Sequence, residues 1–197
     1  MKEIIIATHN NDKKSEMMYA LRNLKVKILS LDNFSEIGEI EESGSTLLEN
    51  SLIKSRKVQR ITGIPAIADD TGLEVEFLNG APGVYSARYA GNNVSYKDNV
   101  RKLLSDLKGV EQKFRNAKFR TYISFCSSKN EFWVDGSIEG EITEKPFGEN
   151  GFGYDSVFLV KETGLTFGQM DKKDKDKISH RGLALKKMIS LLEQNIN

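Results

Sequence analysis

Apolar residues fall in short blocks along this chain, and their spacing alternates between strand-like and helix-like. Ile4, Ile5, Ile6 and Ala7 form an unbroken apolar run, the pattern of a strand buried on both faces. Residues 13–24 read as a helix with Met17, Leu21 and Leu24 on one face, and 26–29 read as a second strand. This β–α–β opening predicts an α/β fold. Residues 32–44 are acidic and irregular. Thr46 and Glu49 have the spacing of a capping box for a helix running to about Ile61, which Gly63 and Pro65 end. Residues 66–68 form a strand that leads to Asp69 and Asp70, and 74–77 continue or follow it.

Residues 79–93 are glycine-rich and read as loop. Val100, Leu103, Leu104 and Leu107 mark an amphipathic helix. The β-rich stretches 119–125 and 132–142, separated by Ser128-Lys129-Asn130, predict a hairpin. A second glycine-rich loop spans 147–153, a strand 157–160, and a charge run 172–177. Ser179 caps a final helix with Ala184, Met188, Leu191 and Leu192 inward. There is no internal repeat or interdomain linker, so 1–197 reads as a single domain, large enough to bury its own core.

Charge and cysteine content narrow the class. With 29 basic and 28 acidic residues the formal net charge is +1, which gives no footprint for bulk binding to nucleic acid or a membrane. The first apolar run is too short for a signal peptide or a membrane span. One cysteine, Cys126, excludes an intrachain disulfide and fits a reducing, cytoplasmic compartment; it reads as a small core residue on a strand.

The sharpest chemical feature is Asp69-Asp70-Thr71-Gly72 at the end of an apolar run. Adjacent carboxylates repel and are costly to bury unpaired, so a strand tip presenting both suggests a cation site. Thr8-His9-Asn10-Asn11-Asp12-Lys13 joins the first strand to the first helix, where backbone N–H groups and Lys13 favour an anion such as phosphate; a plain polar connection fits the same residues. The acidic pair Glu41-Glu42 is either solvated surface or a partner for Asp69-Asp70 in holding Mg²⁺. Lys54 lies one turn past Asn50 on the same helix face, within reach of the same phosphates. In Gly151-Phe152-Gly153-Tyr154-Asp155, Phe152 or Tyr154 can stack on a flat base, or the segment is a tight turn. His180-Arg181 at a helix start is unfavourable to the helix dipole and points to an acidic or carbonyl-bearing ligand.

Together these segments resemble the inosine triphosphate pyrophosphatase family, hydrolases of non-canonical purine nucleoside triphosphates. The resemblance runs end to end: Ala7-Thr8-His9-Asn10 with Lys13 and Glu16; Glu42-Ser43-Gly44 with Thr46, Glu49-Asn50 and Lys54; Ala68 to Leu73; Gly80 to Tyr89; Gly151 to Asp155; and Lys175 with Ser179-His180-Arg181-Gly182. It implies an elongated α/β fold, with a mixed central β-sheet flanked by helices and an active-site cleft between two lobes. It also implies a homodimer and Mg²⁺-dependent cleavage of ITP, dITP and XTP to the monophosphate and pyrophosphate. Asp70 is then the general base and a metal ligand, supported by Asp69, with Glu42 (or its neighbour Glu41) the second ligand. Thr8, His9, Asn10, Asn11, Asp12, Lys13, Lys54 and Thr71 line the triphosphate. Phe152, Gly153, Tyr154, Asp155, Lys175, His180 and Arg181 hold the base. The departures are Asp12 for a common glycine, Ser51 for alanine, Thr71 for serine, Ser156 for proline and Gly168-Gln169 for Ala-Glu. Competing readings are a pyrophosphatase for modified pyrimidines, a non-catalytic nucleotide-binding module, and an interaction protein whose charge runs are solvated surface.

Overall fold

A computed structural model describes residues 2–195. In chain order they form β1 (Glu3–Ile6), α1 (Asn11–Leu21), β2 (Lys27–Ser30), α2 (Leu47–Thr62), β3 (Ala66–Val75), β4 (Pro82–Gly83), α3 (Tyr96–Asp106), β5 (Asn116–Cys126), β6 (Glu131–Ile142), β7 (Phe158–Val160), β8 (Leu165–Thr166), α4 (Lys172–Ile178) and α5 (His180–Asn195). The strands make one mixed, eight-stranded sheet ordered β2-β1-β3-β5-β6-β7-β8, with β4 paired to β3. The α/β expectation is met. No helix among the described residues is long and apolar enough to cross a membrane.

Contacts divide the chain into two compact units. The first holds the described residues of 1–70, 121–136 and 182–197. Here β2, β1 and the start of β3 run parallel, with Ile4 opposite Ile28 and Ile5 opposite Ala66. Both faces of this sheet are covered, which explains the continuous apolar run. Ile4, Ile6 and Ile67 pack with Met17 and Leu21 of α1 and with Ala184, Leu185, Met188 and Leu192 of α5. Ile5, Ala7, Ala66 and Ala68 pack on the other face with Val58 of α2, Leu31 and Ile37. Helix α1 starts two residues earlier than the periodicity suggests, because the Asn10 side chain accepts from the Asp12 and Lys13 amides. The Thr46–Glu49 capping box is present, and Gly63 ends α2 in a left-handed conformation at φ 70°.

The second unit holds 71–120 and 137–181. Its core joins Leu73 and Val75 to Val100, Leu103 and Leu107, and to Phe119, Ile142, Phe158, Phe167 and Met170. The expected 79–93 loop contains the two-residue β4, set antiparallel to Leu73 and Glu74. Strands β6, β7 and β8 are antiparallel neighbours. The turn of the β5–β6 hairpin belongs to the first unit: the Ser127 amide bonds the Asn130 carbonyl, and Cys126 is a buried free thiol at the end of β5. The charge run becomes helix α4, capped by Asp171, rather than a uniformly solvated face: Lys175 is buried.

Candidate active site

Strand β3 does not end at its carboxylates. It runs straight through Asp69, Asp70, Thr71 and Gly72 to Val75, so the expected strand tip is a strand interior. Successive side chains of a strand point to opposite faces. Ile67 lies on the α1 and α5 side and Ala68 on the α2 side, and the alternation carries Asp69 to the first and Asp70 to the second. Each carboxylate meets a lysine. Lys13 Nζ of α1 is 3.2 Å from Asp69 Oδ2 and 3.9 Å from Asp70 Oδ1. Lys54 Nζ of α2 is 3.5 Å from Asp70 Oδ1 and 2.9 Å from Glu42 Oε1. Adjacent burial of two carboxylates is tolerable because the pleat separates them and ammonium groups face them.

The charge balance differs within this group. Burial pushes the Asp70 carboxyl above the usual range, against the opposing pull of Lys54 and Lys13. Burial works against the Lys54 ammonium, yet the attraction of Asp70, Glu42 and Asp69 outweighs it and raises its pKa. Lys54 is therefore held protonated, and Asp70 is a stronger base than an exposed aspartate.

Glu42 and Asp70 fit a hard divalent cation. Their oxygens already face one positive group, the Lys54 ammonium, and both are carboxylate donors. Glu41 is exposed whereas Glu42 is half-buried on Lys54, so the geometry favours Glu42 of the pair. Among the described residues no group of three or more histidine, cysteine or acidic side chains is placed to hold a metal ion. Two carboxylates, with the remaining positions left to water and phosphate oxygens, are the usual protein share of a Mg²⁺ site.

The second unit gathers a different set. Asp155 Oδ2 accepts from the Phe152 amide at 2.8 Å and from Lys175 Nζ at 2.7 Å. That Lys175 ammonium lies 4.8 Å from the centre of the Phe152 ring, and the Arg181 guanidinium 5.6 Å from it. Arg181 donates to the Thr71 hydroxyl at 3.0 Å and is only 2% exposed. His180 is stacked on Phe119, with ring centres 4.5 Å apart and planes 16° from parallel. Gly151, at φ 73°, is required here, since a Cβ would sit 2.0 Å from Asp155 Oδ2.

Most of the expected site residues thus fall into two groups: Lys13, Glu42, Lys54, Asp69 and Asp70, and Thr71, Phe152, Asp155, Lys175, His180 and Arg181. Thr71, expected on the triphosphate, accepts a hydrogen bond from Arg181. Tyr154 corrects an expectation: its ring belongs to the hydrophobic core and its hydroxyl donates to the Ser86 carbonyl at 2.9 Å, which leaves no face for a base. Gly153 adopts φ 62° in the turn that precedes it. In the first loop, the Thr8 hydroxyl accepts from the Asn10 amide, and the exposed His9 ring bonds through Nε2 to the Gly38 carbonyl. Asn10 is the α1 cap, and Asn11 and Asp12 are exposed in its first turn. Asp12 there complements the helix dipole. Asn50 and Phe119 carry no expected role but touch Asp70 and His180 respectively. A buried amide one turn before Lys54 signals the first, whereas the second is a contact distant in sequence that no local pattern reveals.

The mixed α/β sheet carries a carboxylate–lysine group whose ammonium groups could meet phosphate oxygens and whose carboxylates could meet a cation. The chain belongs to the Ham1 family, whose model matches residues 4–191. A relative from Bacillus licheniformis, named dITP/XTP pyrophosphatase, is 48% identical over 98% of this chain and 100% of its own length. One from Bacillus subtilis with the same name is 46% identical over 98% of each chain. The solved structure of a HAM1 protein from Coxiella burnetii superposes with a TM-score of 0.90 at 40% identity, covering 98% of this chain and 100% of that one.

Proposed function

We propose that this chain hydrolyses dITP, XTP and ITP between the α- and β-phosphates, releasing the nucleoside monophosphate and pyrophosphate. The observation that carries this reading is the group of Lys13, Glu42, Lys54 and Asp70, with Lys54 and Asp70 buried, in a chain whose near-full-length relatives are named dITP/XTP pyrophosphatases. Asp70 takes a proton from the attacking water. Lys13 and Lys54 offer their charge to the phosphate oxygens and meet the negative charge of the leaving pyrophosphate. Glu42 and Asp70 hold Mg²⁺, which when bound neutralises phosphate charge and orients the triphosphate.

The other group holds the purine. Phe152 offers a ring face, and Arg181 offers donors only. Hypoxanthine and xanthine present a carbonyl at position 6 to such donors, whereas adenine presents an amino group, donor facing donor. A buried site built on that pairing discriminates by orders of magnitude. Guanine shares the carbonyl, so its rejection falls to the fit around the 2-amino group. The family resemblance supports a homodimer, and the single buried cysteine accords with a reducing cytoplasm.

The test is pyrophosphate release from ITP, XTP, dITP, GTP and ATP, each with Mg²⁺ and with EDTA. Metal-dependent release from the first three and little from the last two is expected. Orthophosphate in place of pyrophosphate would move the cleaved bond and overturn the mechanism.

A further inference from the structure

Asn50 is fully buried on α2, one turn before Lys54, and both ends of its amide are bonded. Its Nδ2 donates to Asp70 Oδ2 at 3.3 Å, and its Oδ1 accepts from the Gly44 amide at 2.8 Å. The partners fix which end is which: an ionised carboxylate only accepts and a backbone N–H only donates. The two oxygens of Asp70 are thereby assigned separately, Oδ2 to Asn50 and Oδ1 to Lys54. Gly44 lies two residues beyond Glu42, and a Cβ there would come within 2.6 Å of Asn50 Oδ1. The amide therefore fits tightly against the loop that carries Glu42.

We infer that Asn50 is a positioning residue: it sets the rotation of the Asp70 carboxylate and ties it to the Glu42 loop, so that proton-accepting and metal-binding oxygens keep one relative geometry. The inference rests on the proposed role of Asp70. The side chain meets the requirement narrowly. Aspartate would keep the acceptor for Gly44 but put a second negative charge against Asp70, and leucine would fill the space with neither bond.

Two variants test this, N50D and N50L, with two readouts. The first is steady-state hydrolysis of dITP. Outer partners that orient a reacting carboxylate typically carry about 10- to 100-fold in activity, and we expect that loss in kcat with KM within about threefold, because Asn50 is not assigned to the substrate. The second is a high-resolution crystal structure of N50D, in which the Asp70 carboxylate should be rotated from its wild-type position. N50D keeps an acceptor for the Gly44 amide, which N50L lacks, so if N50L fails to fold, N50D alone decides. An Asp70 that superposes on the wild type overturns the inference whether or not dITP is turned over. A folded N50D with unchanged kcat also overturns it, provided the wild type is active. Absence of wild-type turnover would instead contradict the proposed function and leave the crystallographic comparison to decide the role of Asn50.

Discussion

Lys175 donates to Asp155 at 2.7 Å, with both side chains about 95% buried, so a cation and an anion are locked together in the interior of the second unit. The same carboxylate oxygen holds the Phe152 amide, so one ion pair fixes the loop, the aromatic ring and the ammonium beside it.

Breaking that pair should be costly. Asp155→Asn removes the carboxylate from a buried ion pair, and removal of one partner of a buried pair costs about 3–5 kcal/mol. Urea unfolding measures the loss. A change below about 1 kcal/mol would give the pair no more weight than a surface bridge.

The Tyr89–Asp106 pair gives the second unit an alkaline limit. Tyr89 donates to Asp106 at 2.6 Å, and burial, then the carboxylate, raise its pKa from 10.0 to about 12. The folded pKa exceeds the unfolded value, so the stabilisation is complete below pH 10 and is lost as pH rises through about 12. At Asp106 burial acts upward, but the bonds from Tyr89 and Lys102 prevail and hold its carboxyl low; that contribution is lost on acidification. Tyr89→Phe should be less stable than the wild type at neutral pH and lose less stability on alkaline titration. Parallel thermal-unfolding curves for both proteins across that range would contradict the assignment.

Arg181 should set the choice of base. Arg181→Ala removes donors that favour a 6-carbonyl, and the loss of a charged hydrogen bond corresponds to roughly a 10- to 100-fold narrowing of the ITP-to-ATP ratio in kcat/KM. An unchanged ratio would remove Arg181 from base recognition.

Much of the fold is legible in the sequence because its signals are local. The Ile4–Ala7 run, the Thr46–Glu49 box and Gly63 each act within a few residues, and the elements they predict are present. The ends of β3 are less legible: two aspartates read as a boundary, whereas ion pairing with Lys13 and Lys54, far apart in sequence, lets the strand continue. Tyr154 shows a similar limit. An aromatic residue between glycine and aspartate resembles a stacking platform, and only the tertiary packing that delivers Ser86 to its hydroxyl makes it a core residue. Within the charge run 172–177 Lys175 stands out only through the family resemblance; its burial on Asp155, 20 residues away, is a tertiary contact that the run itself does not show.

The most direct test of the account is Asp70→Asn assayed on dITP with Mg²⁺. The substitution keeps the shape and removes the base. Loss of general-base catalysis should lower kcat by about 10²- to 10⁴-fold while KM changes little. Turnover equal to that of the wild type would contradict the assignment of Asp70 and, with it, the mechanism built on the carboxylate–lysine group.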